Sequence, residues 1–257
     1  MERWQAATAV FFGYVAVVAV LSRGLPPRRR LNVLAGAAGG ALVLAVSFAL
    51  PGDSLANVWL LPPAALLIGY WTSGLLFVAP MPRAERALAR IDEVLAIDAI
   101  AARTPQPIAE VLELAYVGVY PLIPIALFLA LREGVTADRF WTVILLTDYV
   151  CFGMLPWIQT RPPRAVGFGT PWRSAWRTVN MRVVDASSVQ VNTFPSGHAA
   201  EAVAAALLVA TAPWPISAAV GVAALLVSAG AVLGRYHYAA DAFAGWAVAL
   251  VVWMVCR

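Results

Sequence analysis

Apolar residues in this chain gather into long runs separated by short polar stretches. Eight runs stand out, at roughly 5–22, 31–50, 57–79, 111–131, 140–158, 198–213, 215–233 and 239–256. A helix needs about 20 mostly apolar residues to cross a bilayer, so each run is expected to be a transmembrane helix. Pro62 and Pro63 in the third run, and Pro121 and Pro124 in the fourth, predict kinks that neighbouring helices can accommodate. Ala212-Pro213-Trp214-Pro215 reads as a tight turn. The predicted fold class is all-α: a polytopic membrane helix bundle of about eight transmembrane helices. Residues 1–56 are expected to form an N-terminal transmembrane hairpin and 57–257 a membrane-embedded core. Met1-Glu2-Arg3-Trp4 lacks the basic n-region of a cleavable signal, so the first run is expected to be retained.

Two connections break the pattern. Residues 83–103 place Ala87, Ile91, Val94, Leu95 and Ile97 at helical spacing among Arg, Asp and Glu, which predicts an interfacial amphipathic helix. Residues 159–197 contain no convincing span and carry Arg161, Arg164, Arg173, Arg177 and Arg182 against Asp185. Trp172 and Trp176 within this stretch suit a loop packed at headgroup level. Arg173, Arg177 and Arg182 read as topology markers. No internal repeat of the kind found in transporters with inverted halves is evident.

Composition supports the membrane reading. Of 257 residues, 61% are hydrophobic and 12% charged, with mean hydropathy +0.78, far from the quarter charged that is usual of soluble domains. All 18 basic residues are Arg. Lysine Schiff-base chemistry and any P-loop lysine are therefore excluded. The arginines are spread over connecting segments, so nucleic acid is not an expected partner. Cys151 and Cys256 sit in or beside apolar runs and read as small buried hydrophobes, not a disulfide or metal site.

The only two histidines lie in short polar motifs at the edges of apolar runs. His237 and Asp241 are four residues apart, which puts them on one face of a helix starting near His237. A carboxylate there can orient the imidazole and leave its other nitrogen as nucleophile or base. Arg235 adds a planar donor fork suited to phosphate oxygens. Pro195-Ser196-Gly197-His198 opens the sixth run, where a helix N-terminus attracts anions. Gly197 permits close backbone approach, Ser196 offers a hydroxyl, and His198 can protonate a leaving oxygen. Parity of spans brings residues 161–164, 196–198 and 235–237 to one membrane surface. Asp148, Glu113 and Glu201 are further acids in apolar stretches, with interhelical hydrogen bonding as their alternative role; they are left outside the expected site.

Gln159-Thr160-Arg161-Pro162-Pro163-Arg164, Pro195-Ser196-Gly197-His198 and Gly234-Arg235-Tyr236-His237 with Asp241 resemble the three signature motifs of the type 2 phosphatidic acid phosphatase superfamily. The second motif is intact. The first lacks its lysine, with Met154 at that position, and the third is shortened, with Arg235 two residues before His237. These departures resemble the inositol phosphorylceramide synthase-like subgroup. The resemblance covers about residues 57–256 and implies a six-helix core to which the first two spans are an addition. It implies His237 as nucleophile, Asp241 as its orienting partner and His198 as proton donor to the leaving alkoxide. Arg161 or Arg164, Arg235, Ser196 and the Gly197 amide would hold the phosphoryl oxygens. No metal and no cofactor is implied.

The expected function is that of an integral membrane lipid phosphatase acting through a phosphohistidine, with the bilayer and a phosphorylated lipid as its partners. A phospholipid headgroup phosphotransferase is the alternative, and a transporter or non-catalytic scaffold a second one. A multi-pass location in the plasma membrane is expected. All arginines except Arg3, Arg132, Arg139 and Arg257 fall on the active-site side, which by the positive-inside rule predicts a cytoplasmic site. The superfamily resemblance implies the outer or lumenal face instead.

Overall fold

The computed structural model describes residues 1–167 and 171–257. Twelve α-helices follow one another: α1 (Arg3–Leu21), α2 (Pro27–Phe48), α3 (Leu61–Gly74), α4 (Pro82–Val94), α5 (Ile97–Arg103), α6 (Gln106–Val117), α7 (Val119–Arg132), α8 (Ala137–Gly153), α9 (Ala175–Ser187), α10 (Gly197–Leu208), α11 (Trp214–Leu233) and α12 (Ala239–Val255). Among the described residues there is no strand, only an isolated bridge between Thr160 and Asn192. The protein is all-helical, as the run pattern predicts.

Among the described residues, fewer helices than the eight expected runs qualify as spans by length and composition. Helices α1, α2 and α11 are long and apolar enough to cross a membrane, and α6 with α7 would make a fourth as a pair bent by 61°. The shorter apolar helices α10 and α12 have 12 and 17 residues. At 1.5 Å per residue α10 is about 18 Å long, well short of a hydrocarbon core of roughly 30 Å. Hydropathy registers the apolar run 198–213 but not the place where α10 stops, at Leu208. These helices are consistent with a membrane protein, and exposed apolar side chains such as Val17, Leu42, Phe128, Leu225 and Val251 suit a lipid-facing surface.

Helix α10 is the centre of the bundle and packs against α7, α8, α11 and α12. Gly197, Ala199, Ala200, Ala202, Ala204 and Ala205 are all buried. Small side chains on every face let four neighbours approach closely. Gly245 of α12 shows how closely: a Cβ there would lie 2.6 Å from the Ser196 carbonyl oxygen and 3.2 Å from the Ala200 amide. Helices α1 and α2 pack on each other and on α3, and α1 also packs on α8.

The amphipathic segment is two helices, not one. The chain turns left-handed at Ala96 (φ 53°) between α4 and α5. The buried face of α4 carries Glu85, Leu88 and Asp92, and the helix packs against α12. It is therefore part of the protein interior along this face. The connection 159–197 contains α9, which packs on α6. Arg177, expected to mark topology, is buried and pairs with Glu113 at 2.8 Å.

Candidate active site

The two histidines arrive from different parts of the chain, one on a helix and one in a turn. His198 is the second residue of α10, whose N-cap is Ser196; the Ser196 hydroxyl accepts the Ala199 amide at 3.4 Å. His237 lies in the turn between α11 and α12. That turn is closed by Arg235, which is left-handed (φ 63°) directly after Gly234, while the Tyr236 amide donates to the Ala231 carbonyl at 2.9 Å. This is the hydrogen bond of a Schellman ending, with arginine at the position glycine usually takes. The Ser196 amide donates to the Asp241 carbonyl at 2.9 Å, tying the two motifs together.

The imidazole centres are 6.3 Å apart, and both rings line one cavity of about 630 Å³. Asp241 is fully buried. Its Oδ2 accepts the Tyr238 amide at 2.8 Å and lies 3.5 Å from His237 Nδ1. The second distance is longer than a formed hydrogen bond. Arg164 and Gly197 also line the cavity. Arg164 Nη1 donates to the Tyr236 carbonyl at 3.3 Å, and its guanidinium lies 5.4 Å from the centre of the Tyr236 ring. An added Cβ at Gly197 would sit 3.1 Å from Asp148 Oδ1 and 3.2 Å from Phe152, so glycine keeps the backbone within reach of a ligand there.

The remaining expected phosphate ligands sit elsewhere. Arg161 is bound by Glu85 through its amide at 2.9 Å, its Nε at 2.9 Å and its Nη2 at 2.8 Å, and it does not line the cavity. That bonding holds the Glu85 carboxyl below its ordinary value and raises the guanidinium above its own. Arg235 is buried, with Nη1 2.8 Å from Asp92 and Nε 3.3 Å from Asp98. Burial pushes the Asp92 carboxyl up, against the opposing pull of the Ala239 amide and Arg235. Ser196 is fully buried as a helix cap. Of the three arginines singled out, Arg164 is the one that opens onto the cavity.

The chain matches the PAP2 superfamily over residues 83–255. It belongs to the PAP2 superfamily. Comparison with curated proteins and with solved structures returned no match. PAP2 superfamily proteins are in general phosphatases acting on phosphoric esters, which agrees with two imidazoles and a guanidinium facing one cavity.

Several residues that shape this PAP2 site escaped the sequence reading. Tyr116 stacks on His198 at 5.2 Å and on Tyr236 at 4.1 Å, and Tyr120 meets His198 edge-on at 5.7 Å. They stand four residues apart around the α6–α7 bend, a spacing that could have suggested a shared face. Beneath them Glu113 accepts from Trp172 (2.8 Å), Arg177 (2.8 Å), Asn180 (2.6 Å) and the Tyr236 hydroxyl (2.7 Å). Burial raises the Tyr236 phenol above its ordinary value, so it acts as a hydroxyl donor. Asn192 donates its amide to Thr160 O (2.9 Å) and its side chain to Thr160 Oγ1 (3.0 Å), fastening the first motif to the approach of the second.

Proposed function

We propose that this PAP2 protein is an integral membrane lipid phosphatase that works through a phosphohistidine on His237. The reading is carried by one observation: His198, His237 and Arg164 open onto a single cavity whose other walls include Trp59, Leu66, Leu127 and Phe152. A phosphoester would meet the imidazoles while its apolar part lies against those walls.

In this reading His237 Nε2 attacks phosphorus as the bond to the lipid oxygen breaks. Burial, His237 and Arg164 hold the His198 imidazole well below its ordinary value, so its proton enters with the phosphoester anion and passes to that leaving oxygen. Charge on the phosphoryl oxygens is met by the Arg164 guanidinium and the Gly197 amide at the N-terminus of α10. The phosphoimidazolium carries positive charge facing Asp241, and the 3.5 Å contact shortens as that charge forms. Water then adds to phosphorus as His198 takes its proton, the N–P bond breaks, and phosphate leaves with His237 neutral again. Arg161 and Arg235 act by holding the motif loops to α4 and α5.

A second reading is favoured by the shape of the third motif, Gly234-Arg235-Tyr236-His237-Tyr238, and by the lack of lysine. Here an alcohol replaces water and the product is a new phospholipid, as in the inositol phosphorylceramide synthase-like subgroup. Purified protein with radiolabelled phosphatidic acid, and separately with a headgroup-labelled phosphodiester lipid plus a lipid alcohol as acceptor, tests both readings. Wild type is expected to show an acid-labile labelled intermediate that His237→Ala lacks, with turnover lowered about a thousandfold or more. Free phosphate marks the first reading and a labelled new lipid the second; unchanged turnover in His237→Ala refutes both.

A further inference from the structure

Two acids of the cavity wall make no hydrogen bond or ion pair among the described residues. Asp148 of α8 is 1% exposed, and Glu201 of α10 lies one turn along from His198; both line the same cavity as the histidines. Among the described residues neither carboxyl has a hydrogen-bond partner, and Asp148 Oδ2 is buried without one. The two interact electrostatically with each other. The buried acids Glu113 and Asp92 behave differently: Glu113 takes four side-chain donors, and Asp92 takes Arg235 and the Ala239 amide. A carboxyl kept in apolar surroundings without a donor is costly, and the cost is ordinarily removed by pairing. In a membrane protein such acids mark function. Asp148 also abuts the phosphate-facing backbone, since its Oδ1 lies 3.1 Å from the space where a Gly197 side chain would begin.

We propose that Asp148 and Glu201 form a subsite for a hydrogen-bond donor, a hydroxyl carried by the lipid portion of the ligand beside its phosphoester. The inference rests on the phosphoester reading of the cavity for its orientation. The phosphoryl group lies at His198 and His237, and the hydroxyl lies one helical turn further along α10. It makes the protein favour hydroxylated lipids over those with only ester or ether oxygens, because only a hydroxyl can donate to the carboxyl oxygens that otherwise stay unsatisfied.

Phosphate-free probes keep this test separate from the catalytic one. Purified protein in detergent is titrated with monododecanoylglycerol and with its dimethyl ether, in which both hydroxyl donors are replaced by methoxy groups. Wild type is expected to bind the diol about tenfold tighter or more. Asp148→Leu and Glu201→Met are each expected to bring that ratio below about threefold. The same variants are expected to melt at or above the wild-type temperature, because an unpartnered buried acid is removed. A wild-type ratio near one, a ratio retained in both variants, or a lower melting temperature in both would overturn the proposal. Turnover lost in His237→Ala while the diol preference stands supports both readings; turnover unchanged there refutes only the catalytic one.

Discussion

Glu113→Gln should loosen the site without touching it. In the native protein Oε1 accepts Trp172 and Arg177, and Oε2 accepts Asn180 and the Tyr236 hydroxyl. A glutamine amide keeps one oxygen and turns the other into a donor, so whichever way it faces, one pair of donors meets another donor. Arg177, buried and 2.8 Å from Glu113, also loses its counterion and keeps only the Gly234 carbonyl at 2.9 Å. Breaking a buried pair by removing one partner costs about 3–5 kcal/mol. At about 2–4 °C per kcal/mol for a chain of this size, Tm should fall by roughly 6–20 °C. Activity should fall as well, since Tyr236 is released from Glu113 and carries Tyr116, on which His198 stacks. The assay is thermal unfolding in detergent alongside turnover, with Arg177→Met and the double variant completing a cycle. The double variant should recover part of the loss, because no unpaired charge remains. A Tm within about 2 °C of wild type, with full turnover, would refute the view that Glu113 supports the site.

Arg164→Ala should lower kcat/KM by about a hundredfold or more, whereas Arg161→Ala should act mainly on stability; steady-state kinetics of both variants would check this, and equal kinetic losses would return Arg161 to the phosphate. Gly245→Ala should destabilise by about 1–3 kcal/mol, because its Cβ would press on the Ser196 carbonyl and force apart α10, which bears His198, and α12, which follows the His237 turn; unfolding curves would measure it. The depressed Glu85 carboxyl contributes stability that is present above its ordinary value of 4.5 and is lost as pH falls through its folded value. The fall of Tm on acidification below about pH 4.5 should therefore be shallower in Glu85→Gln than in wild type.

Helical content, the apolar character of the interior and surface, and the polar motifs at the mouths of α10 and α12 are local properties of this sequence. Runs of apolar residues have few alternatives to helix in a low-dielectric setting, because every backbone polar group must pair within its own segment. Both histidine motifs were legible for the same reason: each is a few adjacent residues at a helix start. Parity of spans is the ground for expecting the two motifs together, but the 6.3 Å between the rings is reached through the packing of α10 on α11 and α12 and not through a count of spans.

What the arginines do was decided only in three dimensions. Arg161, Arg164, Arg177 and Arg235 look alike along the chain, yet three meet carboxylates of α4, α5 and α6, and Arg164 faces the cavity. Pairing depends on residues 64 to 143 positions apart meeting across packed helices, and no local periodicity encodes such encounters. The break at Ala96, which lets Asp92 and Asp98 both reach Arg235, has the same origin: a buried guanidinium needs carboxylates around it, and that need overrides the tendency of 83–103 to continue as one helix.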